Sequence, residues 1–257
     1  DFDDTLYGMD LRIPERNLEA LRYFTGEGGY FAVSTGRAHR TFAPYAHLVP
    51  MNAPAVLSNG AAIYDFQADR MLEQTQLPES APRDLAAVME EFPSLSLEVY
   101  HGEDIYVCHP NYITFSHLKK VNCDYTECEV AGMPTPWVKA LFHQEREVLL
   151  QAQARLLGQW GDRYEAIFSN PRYLELTAKG SNKGGGVARV AELLGVAPEH
   201  IYCVGDNQND IPMLELSAIP FAPANCAQEV KDWGARILCH CNDGVIGAIV
   251  ELLDGLY

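Results

Sequence analysis

Asp1-Phe2-Asp3-Asp4-Thr5 is the stretch on which the reading of this chain turns. Residues two apart on a strand point to the same side. At the end of a buried strand, Asp1 and Asp3 would therefore crowd two carboxylates together. Two like charges about 4 Å apart repel by roughly 4 kcal/mol at an effective dielectric near 20, and a divalent cation is the natural compensation. A run of apolar strand residues should lead into Asp1. Because none does, we expect the numbered sequence to start after its natural beginning.

Working outward, the chain alternates in type. Pro14 is predicted at a first helical position, with Leu18, Leu21 and Phe24 on one face and Gly26, Gly28 and Gly29 ending the helix. Tyr30 to Val33 reads as a strand buried on both faces, running into Ser34-Thr35-Gly36-Arg37. A helix over residues 38–48 and a strand over 55–57 follow, the latter ending in Ser58-Asn59-Gly60. This alternation indicates a parallel α/β sheet. From about Pro82 the texture changes to helix and alternating strands, as in an α+β module with an antiparallel sheet. The α/β pattern resumes with a helix from Lys183, a strand over 201–204 ending in Gly205-Asp206, and closing helices over 211–216 and 245–253. The expected fold is a doubly wound, Rossmann-like parallel-sheet core of residues 1–81 and 179–257, carrying an inserted α+β cap of residues 82–178.

Composition narrows the function. The 257 residues are 47% hydrophobic and 21% charged, as in ordinary globular proteins, and no apolar run reaches the ~20 residues that span a bilayer. A formal net charge of −16 repels nucleic-acid backbones and anionic membranes, so neither is an expected partner. Seven cysteines in a long chain are unlike a disulfide framework. Cys239-His240-Cys241 and the pair Cys123 and Cys128 lack matching second halves for a structural metal site. The cytoplasm is the expected compartment.

In open α/β sheets, ligands bind beyond the carboxyl ends of the strands. Four polar clusters fall there, at 1–5, 34–37, 58–61 and 205–210, and Lys183 opens a helix that can join them. Taken singly, each is ordinary turn and capping chemistry; their joint occurrence carries the argument.

Together they resemble the haloacid dehalogenase superfamily of phosphotransferases. Asp1 to Leu6 is similar to its first motif, Ser34-Thr35-Gly36-Arg37 to its second, Lys183 to its third and Gly205-Asp206-Asn207-Gln208-Asn209-Asp210 to its fourth. Ser58-Asn59-Gly60-Ala61, Asn225, Asp243-Gly244-Val245 and the large insertion resemble the Cof-type branch with a class IIB cap. Ala222-Pro223-Ala224 departs from that branch's usual turn before the Asn.

The resemblance implies roles. Asp1 would be the nucleophile and Asp3 the general acid and then base, holding a proton that neighbouring carboxylates favour. Asp1, the Asp3 carbonyl and Asp206 would hold Mg²⁺, with Asn209 and Asp210 supporting that shell. Thr35, Gly36, Arg37, Asn59, Lys183 and Asn209 would bind the phosphoryl group. Such a site hydrolyses small phosphomonoesters, sugar phosphates or similar metabolites, in a monomer or homodimer. A phosphomutase and a catalytically silent phosphometabolite sensor are the rivals. The cap aromatics and histidines, Tyr100, His117 and Tyr173 among them, and Arg172 are candidates for contacting the leaving group.

Overall fold

The structure is a computed structural model that describes residues 1–256. Helix α1 (Glu15–Gly26) follows Pro14, which caps the helix one residue outside its expected place. Asn17 is fully buried on it and accepts a hydrogen bond from the Gly247 amide, docking α1 against the C-terminal helix. Helix α2 (His39–Ala46) and strand β1 (Ala55–Leu57) come next. Strands β2 (Ala62–Asp65) and β3 (Arg70–Gln74) then form an antiparallel hairpin on β1 that the sequence reading did not anticipate. These three strands form a sheet of their own in the order β1-β2-β3.

Residues 30–33 differ from expectation. They run extended beside β1 but meet it in one parallel bridge, Ser34 to Val56, flanked by the Val56 N–H donating to the Val33 carbonyl at 2.8 Å. Tyr30 and Ala32 are exposed while Val33 is buried. The edge away from β1 faces an apolar cavity of about 550 Å³ lined by Leu21, Phe31, Val33, Val204 and Ile249. Without a ladder on that side, no strand is completed.

The insertion comprises α3 (Ala81–Glu91), β4 (Ser96–His101), β5 (Asp104–Cys108), α4 (Tyr112–Val121), β6 (Tyr125–Glu127), β7 (Lys139–His143), α5 (Arg146–Trp160), β8 (Tyr164–Asn170) and β9 (Tyr173–Ala178). Its strands form one six-stranded sheet in the order β6-β5-β4-β7-β9-β8. Strand alternation gives this sheet two faces. Leu97, Val99, Ala140, Phe142, Leu174 and Leu176 pack with Leu85, Val88, Leu149 and Leu156 of α3 and α5 into one apolar core. The opposite face carries Ser96, Glu98 and Tyr100 across from His143, Leu141 and Lys139, with Tyr173 and Glu175 alongside. That face looks toward the α/β core and is partly covered by α4. Asn111 caps α4 by accepting from the Ile113 and Thr114 amides, and Asn122 ends it in the left-handed region.

The chain returns through α6 (Lys183–Leu194), β10 (Tyr202–Val204), α7 (Ile211–Leu214), β11 (Ile219–Ala222), α8 (Gln228–Trp233), β12 (Arg236–Ile237) and α9 (Val245–Asp254). Strands β10, β11 and β12 are parallel neighbours. Phe2, Leu6, Phe42, Leu57 and Phe221 join Ile246 and Ile249 in the apolar core beneath the opening loop. Among the described residues, no helix is long and apolar enough to cross a membrane.

Candidate active site

The opening loop lies beside the carboxyl end of β10, where the Asp1 nitrogen donates to the Val204 carbonyl at 2.8 Å. Phe2 turns inward, stacked on Tyr7 at 5.2 Å and edge-on to Phe42, and so leaves Asp1 and Asp3 on the outward side. The two carboxylates meet different cations. Lys183 Nζ donates to Asp1 Oδ1 and to Asp210 Oδ1, each at 2.6 Å. Arg37 grips both oxygens of Asp3 at 2.7 and 2.8 Å. The repulsion inferred from the sequence is thus relieved by two separate ion pairs.

Local structure explains this placement. Asn182 caps α6 by accepting from the Gly185 amide, which makes Lys183 its first residue and aims the side chain into the core, 1% exposed. Gly60 has φ +90°, and a Cβ there would lie 2.0 Å from the Asn182 carbonyl oxygen. Only glycine lets the 58–60 turn approach the start of α6 so closely. Gly205 serves the fourth cluster in the same way, since a Cβ on it would stand 2.3 Å from Asp210. Asp210 is fully buried. Its Oδ2 accepts from the Asp206 and Asn207 amides at 2.9 Å each, so one carboxylate both shapes the 205–210 loop and anchors Lys183.

Carboxylate oxygens of Asp1, Asp206 and Asp210 lie within 4.8 Å of one another. Burial, with the Asp210 charge adding to it, pushes the Asp206 carboxyl up to about 7. An all-oxygen donor set short of positive charge fits a hard divalent cation such as Mg²⁺. The Asp3 carboxylate is not part of that cluster. Burial alone would raise it, but hydrogen bonds and charge from Arg37 prevail and hold it below the ordinary carboxylate range. The sequence reading had neighbouring carboxylates keeping a proton on Asp3. Arg37 reverses that balance in this closed arrangement.

The remaining predicted residues gather at the same place with altered partners. Thr35 is buried and its Oγ1 accepts from the Arg37 amide. The Gly36 carbonyl accepts from Lys139 Nζ at 2.8 Å. Asn59, in the left-handed region at φ 53°, donates to Glu175 Oε2 at 2.8 Å and accepts from Asn209 at 3.1 Å. Arg172 pairs instead with Glu145 at 3.2 Å, and its guanidinium lies over the Tyr112 ring. Lys120, Lys139 and Glu175 line the cleft and were missed. The available signal was the polar alternation Glu98, Lys139, His143 and Glu175 within strands otherwise apolar. Asn225, noted from the sequence, links the Asp4 carbonyl at 2.8 Å to the Cys241 amide at 3.0 Å, and so ties the opening loop to the closing segment.

Asp1, Asp3, Thr35, Arg37, Lys183 and Asp206 line a polar cleft of about 160 Å³ between the core and the six-stranded sheet, whereas Asn59, Arg172, Asp210 and Asn225 lie outside its lining. The 550 Å³ cavity is larger but apolar, and the ionisable chemistry lies in the smaller one.

The chain belongs to the haloacid dehalogenase-like hydrolases, whose sequence model matches residues 1–249. It is 25% identical over 247 aligned positions to a 5-amino-6-(5-phospho-D-ribitylamino)uracil phosphatase, YitU, of Bacillus subtilis, covering 92% of this chain and 89% of that protein. It is 25% identical to the pyridoxal phosphate phosphatase YbhA of Escherichia coli, over 98% and 95% of the two chains. Among solved structures it resembles the subclass IIB sugar phosphatase BT4131, with TM-score 0.85, 20% identity, and 98% and 97% of the chains covered. Fold and relatives together define a phosphoric monoester hydrolase acting on small phosphorylated substrates.

Proposed function

We propose that this protein is a Mg²⁺-dependent cytoplasmic phosphatase that hydrolyses sugar phosphates or similar phosphorylated metabolites through an aspartyl-phosphate on Asp1. The observation that carries this reading is the convergence of Asp1, Lys183, Asp206 and Asp210 at the buried end of the cleft. Lys183 fixes the Asp1 carboxylate at 2.6 Å, leaving its other oxygen to attack phosphorus. Thr35, the Gly36 amide, Asn209 and the Lys183 ammonium supply donors for the phosphoryl oxygens. Asp3 protonates the leaving oxygen and then activates water. The Arg37 guanidinium is the switch for that role, because an incoming phosphoryl group competes with Asp3 for it and lets the Asp3 pKa rise. Asp1, Asp206 and the Asp3 carbonyl would hold the cation, which neutralises charge on the transferring group. The insertion 82–178 acts as the cap, excluding water and choosing the leaving group.

The test is release of inorganic phosphate from a panel of phosphorylated sugars, phosphoribityl compounds and pyridoxal phosphate. We expect turnover that EDTA abolishes and Mg²⁺ restores. Asp1→Asn should lose on the order of 10³-fold or more in kcat while still binding ligand. Full activity in EDTA would sink the proposal.

A further inference from the structure

We propose that Glu98, His117 and His143 form a second metal site in the inserted sheet, built for a first-row divalent cation of the Zn²⁺ type. The three come from β4, α4 and β7 and meet on the sheet face that looks toward the cleft. Glu98 and His143 are fully buried and the His117 side chain is 12% exposed. Their ligand atoms all lie within 4.8 Å of one another. His117 Nε2 stands 3.3 Å from Glu98 Oε1, and His143 Nε2 stands 3.8 Å from Glu98 Oε2.

Neither approach is a hydrogen bond. Both Glu98 oxygens, both His117 ring nitrogens and His143 Nε2 are buried with no hydrogen bond of good geometry, although the Tyr100 hydroxyl also acts on the Glu98 carboxylate. Five poorly satisfied polar atoms in one spot are costly, since each forfeits its bond to water for a weaker contact. A cation at their centre satisfies three of them at once. Ligand atoms about 2.0–2.2 Å from a tetrahedral ion sit about 3.4 Å apart, close to the two contacts found here.

The support around the site has the same character. His143 Nδ1 lies 3.2 Å from the Thr114 hydroxyl, which also bonds Ser96 Oγ at 2.7 Å. With Nδ1–H donated to Thr114, Nε2 presents its lone pair to the cluster, the usual arrangement behind a ligating histidine. Two imidazoles with one carboxylate select a borderline ion over Mg²⁺, so this site and the all-oxygen cluster at Asp206 discriminate between metals. Bound there, the ion fastens α4 to β4 and β7, and with α4 the Lys120 that lines the cleft.

The experiment uses the full chain, stripped of metal and titrated with Co²⁺ under excess Mg²⁺. Equilibrium dialysis measures stoichiometry and visible absorption reports the ligand field. We expect one equivalent of Co²⁺ with tetrahedral absorption, retained in Asp206→Asn. Glu98→Gln and His117→Ala should weaken it about 100-fold or more, and Thr114→Val about 10–100-fold. Glu98→Gln keeps shape and His117 lies at the cleft wall, so circular dichroism can confirm folding; if Glu98→Gln fails to fold, His117→Ala decides. No tight Co²⁺ binding in the wild type, or binding unchanged in the folded ligand variants, overturns the proposal.

Discussion

In the proposed site, Asp206 is the residue on which pH and metal meet. Its carboxyl ionises near pH 4 when unfolded and at about 7 in the metal-free fold. Between those values the folded state holds a proton that the unfolded chain has lost, so the stability of metal-free protein falls as pH rises through that window. A bound cation removes the penalty. Thermal melts should therefore show Mg²⁺ raising Tm more at pH 8 than at pH 6; an equal rise at both pH values would contradict this account. Arg37 makes a second residue-scale case. It holds Asp3 ionised, so Arg37→Ala should raise the Asp3 pKa and move the alkaline limb of the kcat/KM profile to higher pH. An unmoved limb would mean that Asp3 is not the group reported there. Lys183 and Asp206 could be placed from type and order, one opening a helix and the other following a strand, and Asp1 from the spacing of its acidic run; the structure brings the three together. The state of Asp3 was not legible in this way, since it depends on where one long side chain folds back.

At the scale of elements, the contact between core and insertion is a latch of polar groups. Lys139 on β7 reaches the Gly36 carbonyl and Glu175 on β9, and Glu175 in turn receives Asn59. Lys139 and Glu175 are both nearly buried, with side chains 4% and 8% exposed. Removing one partner strands the other charge, at a cost of about 3–5 kcal/mol. Lys139→Met should thus favour an open form, read as faster amide exchange in residues 36–40 and 58–61 and a raised KM. The double variant Lys139→Met/Glu175→Leu should recover part of that loss. If the single variant leaves exchange unchanged, the latch is not what closes the cleft. The cleft needs such opening, because 160 Å³ falls below the roughly 300 Å³ of ordinary ligand pockets. Sequence reading took the insertion to be helix and alternating strands of an antiparallel sheet, since its apolar periodicity is strong. It missed the latch because pairing across β4, β7 and β9 is a property of register, which one strand's sequence does not contain.

Among the described residues the two largest apolar cores lie one in the insertion and one beneath the opening loop. Between them lie the polar latch and one small apolar cluster, in which Ala38 packs with Tyr100, Ile105, Val107 and Leu118, so each can still unfold as its own cooperative unit. Calorimetry should resolve two transitions. Leu156→Ala, fully buried on α5, should cost about 2–5 kcal/mol and lower only one of them, while Mg²⁺ raises the other. A single transition shifted by both treatments would show that the two cores melt together.

Asn225 joins the Asp4 carbonyl to the Cys241 amide, and Asp1 rests on Val204, 203 positions downstream. On a ribosome Asp1 emerges long before Lys183, Asp206 and Asp210, which meet it in the fold. The proposed site can therefore assemble only once the 205–210 loop and the link between Asn225 and Cys241 have left the exit tunnel.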